Sequence, residues 1–573
     1  MSAWPRHILL IVVLLLGGVL RAGDYEHNVG MVTGADAEIR LTVPGGQMPQ
    51  SGFLPLRVRI NNRSNRERTW RLELGSGPPG GRVLTSDRTL VVPAASTREF
   101  YAFAPLAAKT NSYSGAIHGR VDGPQVEQND FDFRLAMSWG LATAPVAVEP
   151  ALEARLNDLV SDQGPPAATV PAGVAARVRA IRSGAPARVV QKNIAVIDPA
   201  LWPADWRLWS SFATVLLEQS TWERLDVSRR QALLDWVALG GRLVRVNGPE
   251  SRQHYGAGLI VTLAGAMFTV PGDIGEFVLN EAHRPGETQG QLVNAEFWTL
   301  NPREWQPGVQ HRWLTGYIIA FGLLIGPINL FYFAPTGRRH RLFLSVPIIS
   351  FAAAALLFGC ITVSDGFGGA GTRRALVLLQ PAQNRAVVFQ RQISRTGLLT
   401  GRSFALPADA LMSMQADENP ATGVDTQMWR EEDVASGSWF TSRSTQQQSL
   451  SRLVPTRERV ELVGAPGSDP VIQSTVSGTL REFIFMDQAG MMWTAAEVPP
   501  GSRVPLVAVT GTMATTGLRE ILYKYVPTPG LARGTFYALG GSGGLIPTLP
   551  SIRWRDDRVL YTGRLGGEGE ATP

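Results

Sequence analysis

The sequence predicts a multidomain membrane protein: an N-terminal β-sandwich, an α/β flavodoxin-like domain, a two-helix transmembrane hairpin and a C-terminal β-rich domain. Three observations carry this expectation. Apolar residues alternate with period two before Ala136, a strand, helix, strand cadence runs from Ile194 to Val246, and two uncharged apolar blocks span Leu314 to Phe333 and Leu342 to Val363.

With 573 residues the chain has room for several domains, each able to bury its own core. The hydrophobic share of 44% and mean hydropathy of +0.01 conceal the two apolar blocks inside polar, Gly- and Pro-rich sequence. The net charge of +6 comes almost wholly from arginine, because lysine occurs only at Lys109, Lys192 and Lys524. These arginines are spread along the chain, without helix-turn-helix or zinc-finger spacing, which argues against a nucleic-acid partner. The single cysteine, Cys360, lies in the second apolar block, so an intrachain disulfide and a thiolate metal cluster are both excluded.

Residues 1–23 combine Arg6, an apolar run from Ile8 to Leu20 and a small-residue end, which reads as a signal peptide or an N-terminal anchor. Residues 24–148 read as the sandwich, of immunoglobulin or fibronectin type. Leu54, Leu56, Val58 and Ile60 alternate with polar residues or proline, as do Trp70, Leu72 and Leu74. Residues 149–312 read as the α/β domain after a Pro- and Ala-rich linker near Gly164 to Gly173. Ser228 and Gln231 have the spacing of a capping box, Leu233, Trp236 and Val237 share a helix face, Gly240 and Gly241 stop the helix, and Leu243 to Val246 resumes a strand.

Residues 313–363 form the hairpin. Trp313 and Tyr317 flank one end of its first block and Phe331, Tyr332 and Phe333 the other, as in aromatic belts. The short loop between the blocks carries Arg338, Arg339 and Arg341, and basic residues in short loops stay in the cytoplasm. Both long flanks then face outward. Gly322 and Gly326 form a GxxxG pair suited to helix packing, within the hairpin or in a homo-oligomer. Pro327, Asn329 and Pro347 are candidate sites of a kink, with Asn329 read as making a structural hydrogen bond. Residues 364–573 return to strands, including Leu480 to Met486 and Met491 to Thr494 across the Asp487 to Gly490 turn, while the polar segment Asp417 to Arg452 reads as a long loop.

Two stretches carry family resemblances. RRQALLDWVALGGRLVRV, within Ser228 to Val246, resembles the helix and strand of class I glutamine amidotransferase-like domains. GPINLFYFAPTGRRHRLFLSVPIIS, Gly326 to Ser350, looks like the membrane hairpin of a family of uncharacterised bacterial envelope proteins. That family's order of exported β-domain, amidotransferase-like domain, hairpin and β-rich domain matches this chain. The resemblance implies an architecture and no activity.

For chemistry the residues offer little. Amidotransferases need a nucleophilic cysteine, and Cys360 lies in a membrane segment. Gly540 to Gly544 match GxSxG formally, but Pro547 and Pro550 follow in place of a helix, and no histidine lies downstream of His340. The seven histidines include no HExxH or other short-range ligand pair, and no phosphate-binding glycine loop opens a helix, so no metal and no cofactor are expected. The remaining catalytic candidates are Asp198 and Glu218, each near a predicted strand end, where open α/β sheets bind ligands. The expected function is a non-enzymatic, extracytoplasmic binding or scaffold component of a membrane complex. Its partners would be the lipid bilayer and a protein or glycan of the envelope. It would lie in the bacterial inner membrane as a multi-pass protein, its N- and C-terminal domains facing the periplasm or exterior. The alternative is a cell-envelope hydrolase or transferase using carboxylates of the α/β domain.

Overall fold

A computed structural model describes residues 26–33, 36–44, 47–48, 52–77, 84–106, 114–124, 126–137, 146–152, 194–197, 204–264, 297–298, 300, 311–333, 335, 337–399, 406–407, 410–415, 427–430, 434–437, 442–463, 469–509, 531–541, 543 and 545–565. The expected signal peptide or anchor, the linker near Gly164 and Asp198 lie outside these residues. The chain is mostly β-sheet with two apolar helices.

The period-two pattern becomes a sandwich. Glu26–Thr33, Ala37–Pro44, Gly52–Asn62 and Ser96–Leu106 make one antiparallel sheet, and Arg68–Gly77, Leu84–Val92, Ser114–Gly123 and Val126–Met137 form the centre of the other. Leu54, Leu56, Val58 and Ile60 point inward against Trp70, Leu72 and Leu74, all buried in one cluster, because alternate side chains of a strand share a face. Asn62, fully buried, donates to the carbonyls of Arg66, Val92 and Pro93 and closes the end of this core.

The segment read as a long loop is instead partly strand. Gln427–Arg430 pairs in parallel with Leu84–Val92 of the sandwich, Gln427 opposite Leu84 and Arg430 opposite Asp87, and Val434–Gly437 adds alongside it. Thr445–Pro455 belongs to the C-terminal sheet. The hydrogen bonds come from an edge strand more than three hundred residues away, a partner that local composition does not reveal.

Between sandwich and hairpin lies a six-stranded sheet. Ile194–Val196, Val146–Val148, Thr214–Glu218, Arg242–Val246 and Gly258–Leu263 run parallel in that spatial order, and Ser251–Tyr255 closes the edge antiparallel. Helices α1 (Gln219–Arg224) and α2 (Val227–Ala238) connect two of its strands. The cap of α2 differs from the expected capping box: Asp226 accepts the amide of Arg229 at 2.8 Å, and Ser228, inside the first turn, donates its hydroxyl to Asp226 at 2.5 Å. An acid two residues upstream outcompetes the hydroxyl for the positive helix end. Gln231 bonds Asp235 instead of reaching back.

Helices α3 (His311–Leu323, continued by a π-helical segment Leu324–Phe333) and α4 (Leu342–Asp365) follow. Trp313–Phe333 and Arg339–Cys360 are long and apolar enough to cross a membrane, with 6% and 0% of their apolar windows buried by the rest of the chain. The π segment coincides with Pro327, whose ring cannot sit in a regular turn against the preceding carbonyls. Methyl groups built on Gly322 and Gly326 would meet nothing within 4 Å, so the GxxxG face is not used inside the hairpin.

The C-terminal region is a nine-stranded sheet centred on Gly369–Gln380, which pairs antiparallel with Arg385–Thr396 and parallel with Ile552–Arg564. The expected hairpin is present, with Leu480–Met486 antiparallel to Met492–Val498 and Gly490 at φ 90° in the turn. One hydrophobic cluster takes in Phe53 and runs from Ala147 to Leu565, so this sheet and the parallel sheet share a core.

Gly258 marks the tightest approach in the parallel sheet, where an added methyl would lie 2.0 Å from the Val237 carbonyl oxygen and 2.3 Å from that of Gly241. Gly258→Ala is expected to lower the thermal midpoint of the full-length chain in detergent, by about 1–3 kcal/mol of stability. Gly322→Ala, read by the same tryptophan-fluorescence melt, is expected to leave it unchanged.

Candidate functional site

Two places in the parallel sheet bring polar groups together. The first is the carboxyl end of its strands. Glu218 closes the strand Thr214–Glu218 and stands at the start of α1, as the sequence places it. Its expected partner, Asp198, is outside the described residues. The residue that does face Glu218 is Glu149, directly after Val146–Val148: its Oε1 accepts the Glu218 amide at 3.1 Å and its own amide donates to the Leu216 carbonyl. Sequence reasoning left Glu149 as a domain boundary. Its signal was available in the polar residue ending the apolar run Val146 to Val148, the same rule that picked out Glu218.

Glu149 is 2% exposed. Burial pushes its carboxyl above the ordinary glutamate range; hydrogen bonds from the Thr221 hydroxyl and the Glu218 amide pull the other way, and the Glu218 charge adds to the upward shift. A carboxyl whose proton affinity is raised by burial, close in the fold to a second glutamate, is the kind of group a general acid requires. The neighbouring strand end is closely packed. A methyl on Gly248 would lie 2.6 Å from Thr262 and 3.1 Å from Gln219, while Arg245 spans from Thr262 to the ring of Trp222.

The second place is a cleft of about 710 Å³ along the outer side of α2. Ser228, Gln231, Ala232 and Asp235 form its floor at i, i+3, i+4 and i+7, one helix face, while Leu233, Trp236 and Val237 on the opposite face are buried. Asp205, Trp206 and Arg207 close one side and Pro407 and Arg452, from beyond the hairpin, the other. Glu149 and Glu218 are not among the lining residues. The two glutamates therefore do not belong to this cleft.

The charges of the cleft are tied to protein. Asp205 caps the 3-10 turn Trp206–Ser211 through the Arg207 amide and holds the Arg207 guanidinium at 2.6 Å, which stacks over Phe103 and Phe53 at 5.1 and 6.0 Å. Asp235 accepts Gln231 at 2.7 Å and Arg385 at 2.5 Å, and Arg385 also reaches Gln380 and lies 5.2 Å from the Tyr255 ring centre. With Asp205 and Asp235 ion-paired, the cleft presents amide, hydroxyl and guanidinium hydrogen-bonding groups beside Trp206. Among the described residues no three His, Cys, Asp or Glu side chains gather as a metal ligand set.

No family model and no curated protein matches the chain. Solved structures match at low similarity. A cycloisomaltooligosaccharide glucanotransferase of Paenibacillus sp. is 14% identical over 21% of this chain and 18% of its own length, with a TM-score of 0.15. A putative ApaA protein from Bordetella pertussis is 17% identical over 19% of this chain and 99% of its own, TM-score 0.14. Bacteroides uniformis beta-glucuronidase 2 is 9% identical over 36% and 22%, TM-score 0.14. Likenesses of this size carry no functional argument, which rests on the residues themselves.

The sign of the Glu149 shift sets a pH test. A carboxyl held above its unfolded value binds its proton more tightly in the folded chain, so its stabilising effect is full below the ordinary glutamate range and is lost as pH rises through the folded value. Glu149→Gln keeps an acceptor for the Glu218 amide without the buried charge. Its stability relative to the unmodified chain is expected to improve as pH rises from about 4 and then level off, measured by melts at fixed ionic strength. The opposite trend would mean that the fold holds the anion. Glu149→Ala, which strands the Glu218 amide and Thr221 hydroxyl, is expected to cost about 1–3 kcal/mol.

Proposed function

We propose that the chain is an extracytoplasmic binding component of a bacterial envelope complex, tied to the inner membrane by the α3–α4 hairpin. The observation that carries this reading is the α2 cleft: an open, polar concavity assembled from both sides of the hairpin, with no side chain in it placed as an activated nucleophile. In this reading the basic loop 338–341 faces the cytoplasm, both flanks face the periplasm or exterior, and residues 1–23 act as the export signal or anchor. The parallel sheet is read as a flavodoxin-like, amidotransferase-like unit that keeps the crossover architecture and binds without catalysing. The cleft takes a protein or glycan partner, and the outward-facing Gly322 and Gly326 serve a homo-oligomer contact.

A photoreactive residue at Gln231 tests this in native membranes. It is expected to give a defined crosslinked species that Arg452→Ala weakens and that the same probe at Arg40, on the sandwich, does not give. Indistinguishable patterns at the two positions would remove the cleft from the proposal.

Glu149 favours a second reading, a carboxylate-dependent hydrolase or transferase acting on envelope material. Full-length protein that turned over cell-wall glycan or peptide, with Glu149→Gln and Glu218→Gln each reducing turnover at least about a hundredfold, the usual scale for loss of a general acid or base, would replace the binding reading. Equal turnover by both variants would discard the enzyme reading.

A further inference from the structure

The loop joining α3 to α4 carries a compact basic cluster inside an acid-free stretch. From Trp305 to Ser364 the sequence contains no Asp or Glu, yet Arg338, Arg339 and Arg341 fall within four residues of one another, with His340 between. All four are exposed, and no described side chain hydrogen-bonds or ion-pairs with the three guanidinium groups. The backbone fixes them together: Gly337 turns at φ 94°, the Arg338 amide donates to the Pro335 carbonyl at 2.9 Å and the Arg341 amide to the Arg338 carbonyl at 3.0 Å, and Arg339–Arg341 is a single 3-10 turn.

This turn leads straight into α4, whose first turn contains no acidic residue. Three cations therefore adjoin the positive end of a 24-residue helix, an arrangement that repels itself unless an anion is supplied. The side chains around the loop state where that anion lies. Phe331, Tyr332 and Phe343 are 77%, 79% and 87% exposed, as expected for aromatic rings seated at a bilayer interface. A guanidinium at that depth meets the phosphate plane, and its planar fork matches phosphate oxygens two at a time.

We propose that the 338–341 loop is a binding site for anionic glycerophospholipid headgroups of the leaflet it faces, the three guanidinium groups clamping lipid phosphate. This rests on the hairpin reading given above. The occupant is lipid and not free phosphate, because the surrounding apolar and aromatic side chains receive acyl chains and glycerol backbone, which an inorganic ion does not offer.

The test is native mass spectrometry of delipidated full-length protein in nonionic detergent, titrated with phosphatidylglycerol or phosphatidylcholine of matched chains. Juxtamembrane arginines add to one another in attracting anionic lipid, so phosphatidylglycerol is expected to be retained about tenfold better or more. R338S/R339S/R341S is expected to lose that preference, and R338K/R339K/R341K to keep most of it. Equal retention of the two lipids by the unmodified chain, an undiminished preference in the serine variant, or displacement of the lipid by millimolar inorganic phosphate would overturn the proposal. An alkaline carbonate wash of membranes separates the two readings. Protein that stays in the pellet yet shows no lipid preference loses only the headgroup site, whereas unmodified protein released by carbonate loses the hairpin reading together with it.

Discussion

Arg385 must be paired, and the pairing joins the two halves of the chain. It lies in the strand Arg385–Thr396, beyond both apolar helices, and is 9% exposed. A guanidinium with so little water needs a counter-charge, and the one it has is Asp235 on α2, 150 residues earlier. Tyr255 and Gln380 complete its surroundings. Removing either charge of such a pair leaves the other uncompensated, a loss on the order of 3–5 kcal/mol, far above the ~0–1 of an exposed pair. The hairpin divides the chain in sequence, and Arg385 closes that division in space. The hydrophobic cluster from Phe53 to Leu565 and the cleft between α2 and Arg452 are likewise built from both halves.

The sandwich is attached by the same economy of a few specific contacts. Phe53, at its end, donates its amide to the Ser210 hydroxyl at 2.9 Å and packs edge-on against Trp206, while Arg207 covers Phe53 and Phe103. Asp205 holds that guanidinium in place and at the same time caps the turn that presents Trp206 and Ser210. On another side, Gln427–Arg430 extends the sandwich sheet at Leu84–Val92. An exposed strand edge is a template for unwanted pairing, and covering it with a later segment of the same chain both protects it and binds the first domain to the last.

Which parts of this were legible follows from the range of the forces involved. Strands such as Gly52–Asn62 were readable because each bears one buried face, so period two is written into neighbouring residues. The membrane-length helices were readable because about twenty consecutive apolar side chains are a local pattern. The start of α2 was displaced slightly, to Asp226, because two competent caps stand two residues apart and the charged one prevails. The strands after Gln427 could not be read, since their hydrogen bonds come from the sandwich. The strand-end position of Glu149 was readable, but its burial and its contact with Glu218 were not, because both exist only once Val146–Val148 lies beside Thr214–Glu218. Glu218 itself was placed correctly, as the strand end is a local feature. The cleft was invisible for the same reason as Arg385, because residues 205, 231 and 452 meet only in the folded chain.

The hairpin repeats this logic in an apolar setting. At regular helical spacing Asn329 would lie on the face of Gly322 and Gly326, at i+7 and i+3 from them, and that face packs against nothing in the chain. An amide there would stand in hydrocarbon, where polar groups are costly. Pro327 already prevents regular turns, and the wider π-helical turns that accommodate it carry Asn329 off the glycine face until it is fully buried. Among the described residues neither amide atom has a hydrogen-bond partner, so the expected hydrogen bond is not seen there. Tyr317 solves its own problem directly, donating its hydroxyl to the Ala353 carbonyl on α4 at 2.5 Å. The Tyr317 bond ties α3 to α4 in one arrangement, and in that arrangement the glycine face stays open.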